Sequence, residues 1–375
     1  MKLIIDKQQL ISALQIITPI TDKSSSKPIL SNFLLEAKGS GEGSSVEFSA
    51  TDYEMSLKGE FEANVETPGS VCISAKKVLE ICREFLTDEI IITADEQLWV
   101  TLEGGASRLR LPSVDIGLYP QMETPDLPHA FTIAPQELRA CIDMTLFATM
   151  TNETRKNLMG VCLKVLDGKE VQWIATDGHR LAQVVRAVEM TNGDTPPEII
   201  VPRKALMEMQ RILERGEEAV RIAFDDRTLL LDAGKTVLTT RLIEGKFPNV
   251  DPVIPKDNDK FVVVNRERMI NALKIVSFMS SEKIKPVKMS IQNELLRLES
   301  ERAETGDVLD ELPVEYQGEE LKIGFNAKYL LDVLSVAQSA EKVQMRLKGA
   351  LNPCLIELPN DSGFLSVVMP LRIEW

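Results

Sequence analysis

Apolar positions along the chain recur in one compound rhythm, a short alternating run followed by a spacing of three and four. It is seen in KLIIDKQQLISALQII (2–17), AFTIAPQELRACIDMT (130–145) and KFVVVNRERMINALKIV (260–276). Alternation predicts a strand, and apolar residues at i and i+4 predict an amphipathic helix behind it. Ile5, Ile133 and Val264 correspond, as do Leu10, Leu138 and Met269, then Leu14, Ile142 and Leu273, in steps of 128 and 131 residues. A second set follows at a similar delay: CISAKKVLEIC (72–82), IVPRKALMEMQ (200–210) and IGFNAKYLLDVL (323–334). Its members share a lysine, any residue, two apolar residues and an acid, from Lys76 to Glu80, Lys204 to Glu208 and Lys328 to Asp332.

Six strand-plus-helix openings predict an α+β chain of three similar domains, 1–125, 126–255 and 256–375, each built of two similar halves. The joints fall in METPDLPHA (122–130) and FPNVDPVIPKDNDK (247–260), where proline interrupts the pattern. Between the helices lie strand-like runs such as EIIITADEQLWVTLE and RTLLLDAGKTVLTTRLI.

Charge is unevenly placed over this pattern. The predicted helices, 7–17, 76–86, 135–150, 203–215, 266–279 and 327–340, carry 13 basic and 8 acidic residues, in a chain whose net charge is −14. A solvated acidic strand-and-loop surface accounts for this better than a basic helix face does. The total argues against a binder that relies on phosphate counterion release for affinity. The five cysteines (72, 82, 141, 162 and 354) form no CxxC pair, which points to reduced thiols and neither a disulfide framework nor a zinc ribbon. The opening MKLIIDKQQL meets Asp6 and Lys7 too early for a signal peptide, and no apolar run is long enough to span a bilayer, so a cytoplasmic protein without a membrane partner is expected.

One stretch suggests chemistry. TDGHRL (176–181) places Asp177, His179 and Arg180 together, and His129 is the only other histidine. A hydrolase or metal-dependent enzyme using Asp177 and His179 is the alternative this raises. Yet the first repeat holds SATDYEMSLKGEF (49–61) where the second holds IATDGHRLAQVVR (174–186). Asp52 and Asp177 thus match, as acids turning the chain between two strands. A nucleophile or a third metal ligand is missing from the motif. AGKT (233–236) lacks the glycine that a phosphate loop needs at Leu229, and reads as a hairpin turn. No cofactor motif is present, and none is expected.

ATDGHRL, the VPRK opening (201–204), EGKFPNV (244–250), GFNAKYLLDVL (324–334) and VVMPLR (367–372) together resemble the bacterial sliding-clamp family, the β subunit of DNA polymerase III. The resemblance runs from Met1 to Arg372. It implies a DNA-clamp fold and a head-to-tail homodimeric ring with helices lining the pore and sheets outside. It also implies a non-enzymatic role: encircling duplex DNA and tethering the replicative polymerase, the clamp loader and repair proteins through short apolar peptides. Twelve helices about 10 Å wide give a circumference of ~120 Å and a bore of ~28 Å, room for a duplex with water. An acidic ring does not depend on affinity to stay on DNA, and a mildly basic lining acts over ~8–10 Å without pinning the duplex.

The resemblance carries specific residues with it. The partner-peptide cleft is expected at Leu158, Thr176, Gly178, His179, Arg180, Leu181, Pro248, Val253, Val367, Met369, Pro370, Leu371 and Arg372. Two or three apolar anchors there, less the cost of association, imply micromolar binding. DNA-facing residues are expected at Lys23, Lys27, Lys76, Asn152, Arg203 and Lys204, and a subunit seam at Lys77, Leu109 and Leu111 against Phe278 and Met279. The chain departs from the family pattern at Ser24, where arginine can stand, in TNETRKN (151–157), which lacks aromatics, and in a terminal Glu374-Trp375.

Overall fold

The structure is a computed structural model that describes residues 1–21, 27–41, 43–152, 154–191, 196–214, 219–278, 285–302 and 306–373. Lys23, Ser24, Met279, Glu374 and Trp375, named above, lie outside the described residues. The helices fall where the periodicity predicts them, all but the first with shorter C-terminal ends: α1 (Lys7–Ile17), α2 (Ala75–Glu84), α3 (Pro135–Leu146), α4 (Arg203–Leu213), α5 (Arg266–Ser277) and α6 (Ala327–Val336). Three of their starts are set by polar caps that satisfy otherwise free backbone N–H groups. Asp6 accepts from Gln9 N at 2.9 Å, Asn265 from Arg268 N at 3.0 Å and Asn326 from Lys328 N at 3.1 Å. None of the described helices is long and apolar enough to cross a membrane.

The chain forms two compact units, one of residues 1–136, 189–196 and 204–242, the other of 137–188, 197–203 and 243–375. In the first, the described strands make a five-stranded antiparallel sheet ending in Ser107–Pro112, and a nine-stranded sheet in which Thr236–Arg241 pairs with Met55–Glu62. In the second, a twelve-stranded sheet pairs Arg180–Ala187 with Asp361–Val368. Each large sheet thus crosses a repeat boundary by the same device: the last strand of one repeat joins the fourth strand of the repeat before it. Side chains buried by the helices are the periodic ones: Leu10, Ala13, Leu14 and Ile17 of α1 and Leu330, Val333 and Leu334 of α6. Helix α1 packs on α2 in the first unit, and α5 on α6 in the second.

All five cysteines are free and buried. Burial pushes the thiols of Cys72, Cys82 and Cys141 up to about 12, and those of Cys162 and Cys354 higher still. Thiolate, the reactive form, is then scarce at any physiological pH. A thiol reagent at pH 8 should label fewer than one cysteine per native chain within minutes, and all five once urea unfolds it. Rapid labelling of two or more native thiols would contradict the burial.

Candidate functional site

The two matched turns are built alike. Asp177 Oδ1 accepts from His179 N at 2.9 Å and Arg180 N at 3.1 Å, as Asp52 Oδ1 accepts from Glu54 N at 3.0 Å and Met55 N at 2.7 Å. The hydroxyls of Thr176 and Thr51 each donate across their turn at 2.7 Å, to Arg180 O and Met55 O. The third turn residue takes positive φ, +88° at Gly178 and +73° at Tyr53, and only glycine does so without strain. Both acids therefore shape backbone. Among the described residues no group of three His, Cys, Asp or Glu side chains is placed to hold a metal.

Arg180 is 8 % exposed and fully engaged. Its guanidinium donates to Asp177 Oδ2 at 3.1 Å, Asp332 Oδ2 at 2.6 Å and Phe147 O at 2.6 Å, and lies 4.6 Å from the Tyr329 ring centroid. Tyr329 in turn stacks against the exposed His179 ring, with centroids 6.3 Å apart. Burial, then the nearby Asp177 carboxylate, raise the Tyr329 hydroxyl above its ordinary pKa. Arg180 thus fastens the turn to α6 and to the end of α3, and it is held inside instead of lining an open cleft. Replacing it with alanine strands two carboxylates and a carbonyl, which should cost about 3–5 kcal/mol. Urea unfolding checks this, and a loss below 1 kcal/mol would show the network to be idle.

Its neighbour Leu181 points to the opposite face of the strand. There Leu158, Cys162, Ile174, Leu181, Ile200, Phe247, Val250, Leu355 and Val367 form one buried cluster, with Met150, Ile243, Ile254 and Leu365 partly buried against it. Val253 and Met369, 43 % and 36 % exposed, stand at its rim with the exposed Pro248. The last segment is held by two backbone bonds, Met369 N to His179 O at 2.9 Å and Leu371 N to Gly324 O at 2.8 Å. The structure thus brings together Leu158, Leu181 and Val367 as a floor, while Thr176, Gly178, His179 and Met369 meet at one edge. Pro370 and Leu371 continue that edge and Arg372 is exposed beside it. Sequence reasoning missed Phe247, Val250, Leu355 and Tyr329. The i, i+3 spacing around Pro248 signals the first two, while Leu355 is visible only through cross-strand register.

Register also explains why the second unit, and not the first, has this apolar row. Thr176, Leu181, Val367, Leu355, Arg346 and Phe261 lie side by side in one row across the sheet. The row at matching positions in the first unit is Thr51, Ser56, Thr239, Leu230, Ala223 and Ala130. Serine and threonine replace Leu181 and Val367, and the remaining apolar side chains are covered by the chain's own Leu127.

Three family profiles match in succession: the DNA polymerase III beta subunit N-terminal domain over residues 1–123, the central domain over 132–249 and the C-terminal domain over 251–372. The chain belongs to the DNA polymerase III beta subunit family, the bacterial sliding clamps. It is 34 % identical to the beta sliding clamp of Caulobacter vibrioides over all of both chains, and 31 % identical to that of Pseudomonas aeruginosa over 98 % of this chain and 99 % of the relative. The solved clamp of Bartonella birtlesii, bound to griselimycin, superposes with a TM-score of 0.91 at 30 % identity over the whole of both chains. That of Bacillus subtilis gives 0.91 at 28 %, again over the whole of both. The fold is accordingly the three-domain DNA-clamp fold, and the chain is a DNA sliding clamp.

The residues expected to face DNA in this clamp are placed unequally. Lys27 is exposed with its ammonium 4.5 Å from the Tyr53 ring centroid, Lys76 is exposed near Glu80, and Lys204 reaches Asp52 at 2.5 Å. Asn152 accepts from the Thr154 hydroxyl at 2.8 Å. Arg203 departs from the expectation of an open, DNA-facing cation. It is half-buried, donating to Leu146 O and the Thr149 hydroxyl at 2.6 Å each, and it caps the C-terminal end of α3 where a cation is favoured. Burial, then the nearby Arg180 charge, lower its pKa. Of the seam residues, Lys77 and Phe278 are exposed, Phe278 at 90 %, while Leu109 and Leu111 lie on the inner face of the terminal strand Ser107–Pro112. Leu86, at 97 %, and Leu309, at 48 %, are exposed apolar residues that sequence reasoning missed.

Proposed function

We propose that this chain works as a homodimeric ring that encircles duplex DNA without catalysing a reaction, and that it holds the replicative polymerase, the clamp loader and repair proteins through short apolar peptides. Its domains are 1–125, 126–255 and 256–375, and it acts in the cell interior. The observation that carries this reading is the apolar cluster of Leu158, Leu181, Phe247, Val250 and Val367, rimmed by exposed Val253 and Met369, in a chain of the clamp family. Such a surface suits a peptide with two or three apolar anchors, and binding of that size permits partners to exchange.

The repeat supplies the closure of the ring. Ser107–Pro112 is the last strand of the first repeat and has one unpaired edge among the described residues; Gly306–Glu315 is the fourth strand of the third. In both large sheets a last strand joins a fourth strand, with Leu238 opposite Leu57 in the first unit. Applying that register between two copies sets Leu109 against the partner's Val308 and Arg110 against the partner's Asp307. Gly306–Glu315 already pairs at its C-terminal end with Lys260–Asn265, so head-to-tail pairing of this kind covers its N-terminal stretch and the edge of Ser107–Pro112, once at each of two seams.

Retention on DNA tests the reading. After loading, the protein should stay on a nicked circle for minutes and leave a linear duplex of the same length within seconds. Equal loss from both would refute topological binding. Sedimentation should give a species near twice the chain's 41.8 kDa at micromolar concentration.

A further inference from the structure

The row that floors the cleft does not stop at Leu355. It continues through Arg346 to Phe261, whose ring is 49 % exposed, and the Arg346 guanidinium lies 5.2 Å from that ring's centroid. Arg346 is partly exposed and makes one long ion-pair contact, its Nη1 lying 3.5 Å from Glu357 Oε1. Its Nε is buried with no hydrogen-bond partner among the described residues, so the Nη groups are the ones placed to meet a ligand. In the first unit the matching positions are Ala223 and Ala130, and Leu127, 6 % exposed, packs over them. The residue at Leu127's repeat position is Asn258. It turns its amide to the backbone, donating to Arg346 O at 2.7 Å and Pro353 O at 3.0 Å, and leaves Phe261 half exposed. One unit therefore covers this end of its row, while the other keeps an aromatic ring half exposed and a cation partly exposed beside the docking cleft.

We propose that the peptide docked in the cleft continues over Leu355 and sets an acidic side chain on Arg346, with the chain beside that acid lying on Phe261. This rests on the docking reading above and extends it from apolar anchors to a charged specificity position. Three features select a carboxylate. A planar guanidinium backed by an aromatic face presents its N–H groups as a fork for one. The shelf is continuous with the cleft. The only ion-pair contact of the Nη groups among the described residues is the long one to Glu357, at 3.5 Å. The spacing fits as well: adjacent strands are ~4.8 Å apart and an extended peptide advances ~3.3 Å per residue, so the acid falls about two to four residues beyond the last anchor.

Two fluorescein-labelled synthetic peptides test it, both with a pair of leucine anchors, one flanked on either side by serine and one by glutamate. The glutamate peptide should bind the wild-type protein about three- to tenfold more tightly by anisotropy, in the range of a partly exposed charge-assisted contact. Arg346→Gln should erase that preference and leave serine-peptide affinity unchanged. Arg346→Lys should restore only part of it, because the fork is lost. Phe261→Ser should weaken both peptides. If Arg346→Gln kept the full preference, or Lys348→Gln erased it equally, the acid would not sit on Arg346 and the proposal would fall. If neither peptide bound the wild type, the docking reading itself would fail, an outcome distinct from an unchanged preference between two peptides that bind.

Discussion

Truncation after Val368 should lower the affinity for a leucine-anchored peptide by about 30- to 100-fold, while the protein stays folded and still forms a dimer. The cut removes Met369, a partly exposed rim residue, with Pro370 and Leu371 beside it. Apolar surface of that size contributes roughly 2–3 kcal/mol to a bound peptide, which converts to this fold-change. It spares the strand Asp361–Val368, whose pairing with Arg180–Ala187 and Cys354–Leu358 holds the sheet. The two backbone bonds lost, to His179 O and Gly324 O, secure the tail itself. Anisotropy measures the affinity, and circular dichroism with sedimentation checks the fold and the dimer. A truncated protein that bound the peptide as wild type does would place the docking surface elsewhere.

Much of this was legible in the sequence because the repeat announces itself. The six helices follow from apolar spacing, with capping residues Asp6, Asn265 and Asn326 marking three starts. The turn role of Asp177 followed from its match with Asp52. Contacts made through register were not legible. Whether Leu181 meets Val367 and Leu355 depends on strands more than 170 residues apart in the chain pairing without a slip, and no local pattern encodes that. Side-chain commitments were also hidden. Arg180 and Arg203 read as available cations, yet both end on the carbonyls that close α3, at Phe147 O and Leu146 O. Unpaired carbonyls at a helix C-terminus attract guanidinium groups wherever the fold brings them near, and only tertiary structure decides which arrive.

The asymmetry between the units comes from a few substitutions on one shared row. In the first unit the row runs through Ser56 and Thr239 to two alanines packed under Leu127; in the second it runs through Leu181 and Val367 to Arg346 and the half-exposed Phe261, with Asn258 in Leu127's place. A duplicated fold can thus carry the proposed docking row in one unit and not in the other with its backbone pattern unchanged.

The same register argument yields the second large effect, at the seam. Arg110→Asp should raise the dimer dissociation constant at least ~30-fold, Asp307→Arg should do likewise, and the double variant should return to within about tenfold of wild type. Arg110 is exposed, and its contacts to Asp95 at 3.3 Å and the Trp99 ring at 4.5 Å lie at the surface, so losing them should cost the folded protomer little. In the proposed dimer its repeat-matched neighbour would be the partner's Asp307, as Thr239 faces Ser56 within the first unit. Like charges directly opposed across an antiparallel pair cost about 1 kcal/mol. A head-to-tail ring holds two identical seams, so one substitution acts twice, and about 2 kcal/mol is the ~30-fold stated. Salt should shrink the effect, since the pair is near solvent. Recovery in the double variant is the decisive readout: general damage to the edge strand would add in the double, whereas a direct pair cancels. Sedimentation velocity across a dilution series measures all four proteins. A double variant weaker than either single would show that Arg110 and Asp307 do not face each other, and that the register shared by the two large sheets does not extend to the seam.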